Sequence, residues 1–271
     1  MPGERHQLLP RTGEKVPGGT VKAKIVDENG LPIDKATVFI CGTDTCSPAK
    51  PTDSNGEVTI DANTSMKNPA FKFGDSLAHA ELAIPLPDTT TTPTTDFTGH
   101  VLATAKLSDK PGAPLTPGTT ATSGDVSIAV PTNAAVTFSP LHATCEDQLF
   151  RAVSIPLTNI GPVIDPAVGA PANLALLYGV GAQDTTICPA AKVTVALPHK
   201  TKTPNDLDWA PGADVEFWIL STDAGQTYAP YAGWAKMSDG KVSEDGTKVS
   251  TNDGAKQGFV FLANFAIRLK P

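Results

Sequence analysis

Long apolar runs are missing from this 271-residue chain. No stretch approaches the roughly 20 apolar residues that a membrane helix requires, so no helical span is expected. Helix signals are missing as well, because 25 prolines and 23 glycines punctuate the whole length and no window keeps an apolar 3.6-residue period for three turns. Clustered base is a third absence. The chain carries 21 Lys and Arg against 28 Asp and Glu, a net charge of -7, and its basic residues are scattered. That argues against a nucleic-acid partner, whose phosphates demand concentrated positive charge.

The local signatures of catalysis are also absent. There is no Gly-x-Ser-x-Gly turn, no His-Glu-x-x-His and no glycine-rich loop opening a helix. The histidines, His6, His79, His100, His142 and His199, lie far apart without an acidic or Cys partner in a recognisable motif. No catalytic residue and no cofactor is therefore assigned, and covalent haem attachment is excluded because neither cysteine pair reads Cys-x-x-Cys-His.

What is present is strand after strand. Val21 to Asp27 alternates apolar and polar residues, Asn29-Gly30 turns, Ala36 to Cys41 is a β-branched and aromatic run, and Asp53-Ser54-Asn55-Gly56 turns into Glu57 to Ile60. Further strands are expected at Ala70 to Phe73, Leu77 to Ile84, Val101 to Leu107 and Asp125 to Val130. Between them, the Thr-rich segment 88–99 has no evident core face. It reads as a solvated loop or linker, with O-glycosylation as the sharper reading. The second half continues with strands at Ala135 to Phe138, Leu149 to Leu157, Leu174 to Val180 and Lys192 to Leu197, and ends in three longer apolar stretches. The expected architecture is all-β: a flexible arm over residues 1–15, one β-sandwich over 16–131 and a second over 132–271. Leu9-Pro10-Arg11-Thr12-Gly13 spells a sortase-type signal, but no apolar span or basic tail follows it, so a chance match is the expectation.

The cysteines fall into two pairs, Cys41 with Cys46 and Cys145 with Cys188, read as two disulfides in preference to a metal site or free thiols. Disulfides imply an oxidising compartment. Met1 to Lys15 has charges and no apolar centre, so no signal peptide is read there, and the chain is expected to be a mature or trimmed form or a piece of a larger exported protein. The acidic turns Asp53 to Gly56, Asn205 to Asp208 and Glu244 to Gly246 offer oxygen ligands, yet none matches a calcium loop and all serve as hairpin turns. No metal site is assigned.

Aromatic residues are few, at 6%, but concentrated. Trp209, Trp218, Tyr228, Tyr231 and Trp234 fall in one segment of the second half. On Asp214 to Leu220 a period of two puts Val215, Phe217 and Ile219 on one face and Glu216 and Trp218 on the other. If the first face is core, Trp218 looks outward and, with Tyr228, Tyr231 and Trp234, forms a binding surface for a sugar ring or a protein. The competing reading packs Trp218 under the 228–231 loop or against the first half. A Lys-Asn intramolecular bond, for example Lys192 with Asn264, was weighed against ordinary surface roles for such residues.

Val26-Asp27, Asn29-Gly30, Pro32-Ile33, Ala36-Thr37-Val38 and Thr52 to Gly56 resemble the carboxypeptidase regulatory-like (transthyretin-like) β-sandwich. That resemblance implies an accessory module with no peptidase residues. Pro211-Gly212, Trp234, Gly240, Val242 to Gly246 and Phe265-Ala266 resemble ZU5-like and Ig-like modules of bacterial exported proteins. Together these readings lead to a non-catalytic extracellular or cell-surface protein, with the periplasm as the other location. Its expected role is structural or adhesive, through a protein partner. The alternatives are a carbohydrate-binding module, and an accessory or coat subunit of an extracellular filament or electron-transfer assembly.

Overall fold

The computed structural model describes residues 13–75, 77–166, 170–197, 209–226, 228–254 and 257–271. The Leu9–Gly13 motif (but for Gly13), His6, His199, the 205–208 turn and most of the expected arm lie outside the described residues. The fold class is as expected: the described chain is built of β-strands, with one short 3-10 turn at Leu157–Asn159.

The first half contains β1 (Lys15–Val26), β2 (Thr37–Cys41), β3 (Lys50–Pro51), β4 (Glu57–Lys67), β5 (Ala70–Phe73), β6 (Leu82–Pro85), β7 (Thr94–Asp96) and β8 (Leu102–Ala103). β1 starts inside the expected arm, where Lys15 is paired with Asp44 at 3.0 Å. It runs antiparallel to β4 and parallel to β7 and β8, while β3, β2, β5 and β6 form a second sheet in that order. Alternation makes the sandwich: Val21, Ala23 and Ile25 of β1 and Val58, Ile60 and Ala62 of β4 face Val38, Ile40, Phe71 and Phe73 of the other sheet. The turns are carboxylate-capped. Asp27 Oδ1 accepts the N–H of Asn29 and Leu31, with Gly30 at φ 81, and Asp53 Oδ1 does the same for Asn55 and Glu57.

The Thr-rich segment differs from expectation. β7 adds as a parallel strand to β1, Thr89 is buried with its hydroxyl donating to the carbonyl of Pro17, and Phe97 enters the core. Strand addition uses backbone groups, which any composition supplies.

The chain continues through β9 (Ala113–Pro114), β10 (Thr120–Ser123), β11 (Val126–Ala129), β12 (Ala135–Thr137), β13 (Leu149–Phe150), β14 (Ala152–Ser154), β15 (Leu176–Val180), β16 (Thr186–Ala196), β17 (Asp214–Leu220), β18 (Trp234–Val242), β19 (Lys248–Thr251), β20 (Phe259–Phe261) and β21 (Phe265–Leu269). All but β9 and β13, which pair only with each other, form an 11-stranded sheet in the order β10-β11-β16-β19-β18-β17-β21-β15-β14, with β12 and β20 also on β16. The sheet curls until its ends approach: the N–H of Ala152 on β14 donates to Ser123 Oγ on β10 at 3.1 Å. Val126, Ile128, Phe150, Val193, Val215, Phe217 and Phe265 belong to the core it encloses. β10 and β11, expected in the first sandwich, belong to this sheet, because β11 pairs with β16 over Val126↔Val195 to Ala129↔Lys192.

The two halves share a core. Alongside β1, β2 and β5 residues, the first hydrophobic cluster contains Ile155, Ile160, Val163, Leu177, Trp218, Leu220, Trp234 and Ala266. β17 is buried on both faces, so it serves as a wall: Val215, Phe217 and Ile219 point into the curled sheet, and Trp218 and Leu220 point into the first core. Approach at this wall is close. A Cβ on Gly179 of β15 would lie 2.6 Å from the Cβ atoms of both Ala80 and Ala105.

Candidate functional site

The aromatic segment is assembled as a fastener. Trp218 is 1% exposed, which corrects the outward orientation expected for it, and Trp234 is equally buried. The alternation itself was right: Glu216 and Trp218 share a face, and the indole Nε1–H donates to Glu216 Oε2 at 3.1 Å. On that face Trp218 joins the first hydrophobic cluster, which mixes first-half residues with Ile155, Ile160, Val163 and Leu177. Arg268 closes the arrangement, its Nε 2.7 Å from Glu216 Oε2 and its guanidinium 5.1 Å from the Trp218 ring centroid. Lys236 Nζ stands 3.6 Å from Glu216 Oε1. Burial pushes the Glu216 carboxyl up, but the bonds from Arg268 and Trp218 and the charge of Lys236 outweigh it and hold the group below its usual range.

Trp234 donates its Nε1–H to the carbonyl of Val163 at 3.0 Å, pinning the 155–164 segment over the wall. Tyr231 is buried and donates its hydroxyl to the carbonyl of Cys41 at 3.0 Å, so the second half grips the disulfide loop of the first. Cys41, Ala70, Ala83, Tyr231 and Ala232 form a small cluster on the outer face of the β2–β5–β6 sheet. Tyr228 is 41% exposed and rests against Phe261 at 5.4 Å between ring centroids. A sugar platform needs an open ring face. Of the four residues expected to form one, only Tyr228 offers it.

A second cluster, not anticipated, lies along the same junction. Glu81 begins the β6 edge, where a strand normally leaves unpaired N–H and C=O groups. Here side chains complete the edge: Glu81 N–H donates to Gln183 Oε1 at 3.1 Å, and Asn264 Nδ2 donates to the Glu81 carbonyl at 2.5 Å. Asn264 Oδ1 also accepts from Val180 N–H at 3.0 Å. The Glu81 carboxylate pairs with Lys72 at 2.8 Å. Burial nonetheless raises its pKa above the ordinary carboxylate value, the Lys72 charge and bond only partly offsetting it. Asp184 is raised too, by burial and by the nearby Asp223, while Gln226 Nε2 donates to it at 3.2 Å. Buried His142 reaches the Gln183 carbonyl through Nε2 at 2.5 Å. Because that carbonyl only accepts, Nε2 donates in this bond, and Nδ1 has no partner among the described residues.

The disulfide expectation divides. Cys41–Cys46 is formed. Cys145 and Cys188 are not bonded; both are free and exposed, which corrects the second pairing. Cys188 on β16 pairs across the ladder with Ala135, whereas Cys145 sits in a turn fixed by Thr144 N–H on Asp147 at 3.0 Å and followed by Arg151 gripping Glu146. The Lys192–Asn264 pairing is likewise not made: Lys192 pairs with Asp253 at 2.7 Å, and Asn264 serves Glu81 and Val180.

The remaining chemistry is dispersed. His79 lies in a bridge with Lys106, its pKa lowered chiefly by burial, while His100 is exposed in the turn after Phe97. Asp245 Oδ1 accepts from Ser243 Oγ, Thr247 N–H and Thr247 Oγ1, which draw its pKa down to about 2, so it caps a hairpin. Among the described residues no three His, Cys, Asp or Glu side chains converge on a cation position. A crevice of about 300 Å³ opens beside Val130, Pro131 and Gln257, and its charged groups are the Lys192–Asp253 pair.

The junction network escaped sequence reading because its partners are far apart: Glu81 is 102 residues from Gln183 and 183 from Asn264. One signal was available. Asn264 lies within the strongly apolar stretch Val260 to Ile267 and Gln183 directly follows another, Leu176 to Ala182, where a buried amide implies a specific partner. Comparison with protein-family models, with curated proteins and with solved structures finds no match to this chain.

Proposed function

We propose that this chain is a non-catalytic structural or adhesive protein of the extracellular space or cell surface, which presents a rigid β-surface to a protein partner. The observation that carries the reading is how its reactive and aromatic side chains are placed. Tyr231, Gln183 and Asn264 bond across to the first half, at Cys41 and Glu81, Trp218 and Trp234 lie in the shared core, Glu216 is paired with Arg268 and Glu81 with Lys72, and none of them lines the crevice beside Val130. Such a body resists relative motion of its parts, which suits a load-bearing or scaffolding role better than one needing a lid or cleft. The Cys41–Cys46 disulfide fits an oxidising compartment, and among the described residues no helix is long and apolar enough to cross a membrane.

The resemblance of the 26–56 turns to an accessory β-sandwich family supports the same role. The test has two arms. Purified protein should leave a broad panel of ester, peptide and glycoside substrates unchanged, and labelled protein should bind saturably to the surface of source cells lacking it. Turnover of any substrate, or no saturable binding, contradicts the proposal.

A further inference from the structure

The segment from Pro87 to Thr98 packs only Thr89 and Phe97 into the fold and leaves most of its threonines in solvent. Thr90, Thr91, Thr92, Thr94 and Thr98 are all exposed, with Pro87 and Pro93 beside them. A loose linker would carry such residues indifferently. Here the run is fixed at both ends: Thr89 is buried against Pro17, the Pro93 carbonyl accepts from Thr20 N–H at 2.8 Å, and Phe97 is buried in the core.

Thr89 is bonded inward and Thr95 Oγ1 is buried without a partner among the described residues; the exposed hydroxyls fall into two classes. Those of Thr90 and Thr98 donate to the carboxylates of Asp88 and Asp96, each at 2.6 Å, and that of Thr91 to the Asp88 carbonyl at 3.0 Å. The hydroxyls of Thr92 and Thr94 make no hydrogen bond among the described residues, and both stand in solvent on either side of Pro93. An exposed hydroxyl without an internal partner loses nothing when it is capped, and a proline-flanked, non-helical segment leaves room for a transferase to approach.

We propose that Thr92 and Thr94 are sites of O-linked glycan attachment, displayed by a turn pinned against β1. The donor is a glycosyl phosphate, nucleotide- or lipid-linked. The threonine Oγ attacks its anomeric carbon and a C–O glycosidic bond forms. The bond from that carbon to the phosphate oxygen breaks with its electron pair leaving on the phosphate, and the hydroxyl proton passes to the transferase base. No oxidation or reduction is involved. A glycan here would cover the exposed side of β7, the edge strand beside β1, and so block strand addition there.

The test is peptide mapping of protein purified from its native source, with electron-transfer fragmentation to place any mass increment, before and after alkaline β-elimination. The expected result is a hexose or N-acetylhexosamine increment on Thr92, Thr94 or both, lost on β-elimination. Unmodified 87–98 peptides throughout would overturn the proposal, and so would glycan confined to Thr90, Thr91 or Thr98. The double variant Thr92→Val/Thr94→Val, produced in the same source, should lose the increment while keeping its melting temperature, because neither hydroxyl is bonded in the fold. An increment retained on this variant would also overturn the assignment.

Discussion

Asn264 Nδ2 donates to the carbonyl of Glu81 across 183 residues of chain, at 2.5 Å, and its Oδ1 accepts from Val180 N–H at 3.0 Å. One fully buried side chain thus completes the edge of the first half's β6 and links it to β15 of the curled sheet. Replacing Asn264 with Ala leaves the Val180 N–H unpaired, at about 1–3 kcal/mol, and the Glu81 carbonyl with only the longer 3.4 Å bond from Gln183 Nε2. The variant should lose about 1–4 kcal/mol in urea unfolding, and a loss below about 0.5 kcal/mol would show that the bridge is not made.

Gly179 tests the same junction sterically. Gly179→Ala places a methyl group 2.6 Å from the Cβ atoms of Ala80 and Ala105, too close for either neighbour to accommodate without backbone movement. Overpacking of this kind costs about 1–3 kcal/mol. The expected outcome is a lowered melting temperature with unchanged β-sheet circular dichroism. Independent halves would tolerate the substitution.

Tyr231 and Trp218 should separate by mechanism. Tyr231→Phe removes one hydrogen bond to the Cys41 carbonyl and should cost about 1 kcal/mol. Trp218→Ala empties a fully buried site and should cost about 3–5 kcal/mol, measured by denaturant titration. If Trp218 were a surface contact, its truncation would cost almost nothing.

Glu81 and Asp184 should make stability fall as pH rises above the ordinary carboxylate range. Glu81 and Asp184 have folded pKa values raised by burial, so the folded chain binds their protons more tightly than the unfolded chain does. Their contribution is fully present below the ordinary carboxylate value of about 4 and is lost as pH rises through the folded values. Asp44, Asp88, Asp96, Asp109, Asp147 and Asp245 act oppositely, since bonds to the ionised form lower their pKa values and that stabilisation is lost on acidification below about 4. His79, lowered by burial, also opposes acidification below its usual range. Glu81→Gln should therefore flatten the fall in melting temperature above the ordinary carboxylate range. An unchanged slope in the variant contradicts the assignment.

Thiol counting checks the cysteine correction. Native protein should react with an aromatic disulfide reagent at Cys145 and Cys188 and leave Cys41 and Cys46 untouched. Absence of reactive thiol would mean that the second pair is bonded after all. Reducing Cys41–Cys46 opens only a short loop and should cost about 2 kcal/mol in the chain-entropy model.

These residues also show where sequence reading stops. Period-two alternation placed Glu216 and Trp218 together and opposite Phe217, and so gave the strand and its faces correctly. It carried no information on what the second face joins, which here is a cluster of first-half residues together with Ile155, Ile160 and Val163. Thr94 to Asp96 looked coreless because composition reports side chains, while parallel pairing with β1 is made by the backbone. Even cysteine numbers suggested two bridges, yet pairing depends on Cα separation and direction, which neither count nor spacing fixes for Cys145 and Cys188.

The central claim is that the chain unfolds as one body because its halves share the wall at β17. The direct measurement is urea unfolding followed at once by tryptophan fluorescence, which reports Trp209, Trp218 and Trp234 in the second half, and by native-state hydrogen exchange of β1 and β2 amides in the first. Coincident transitions with equal unfolding free energies are predicted. A first half that opens at lower urea while the tryptophan signal stays native would contradict the account.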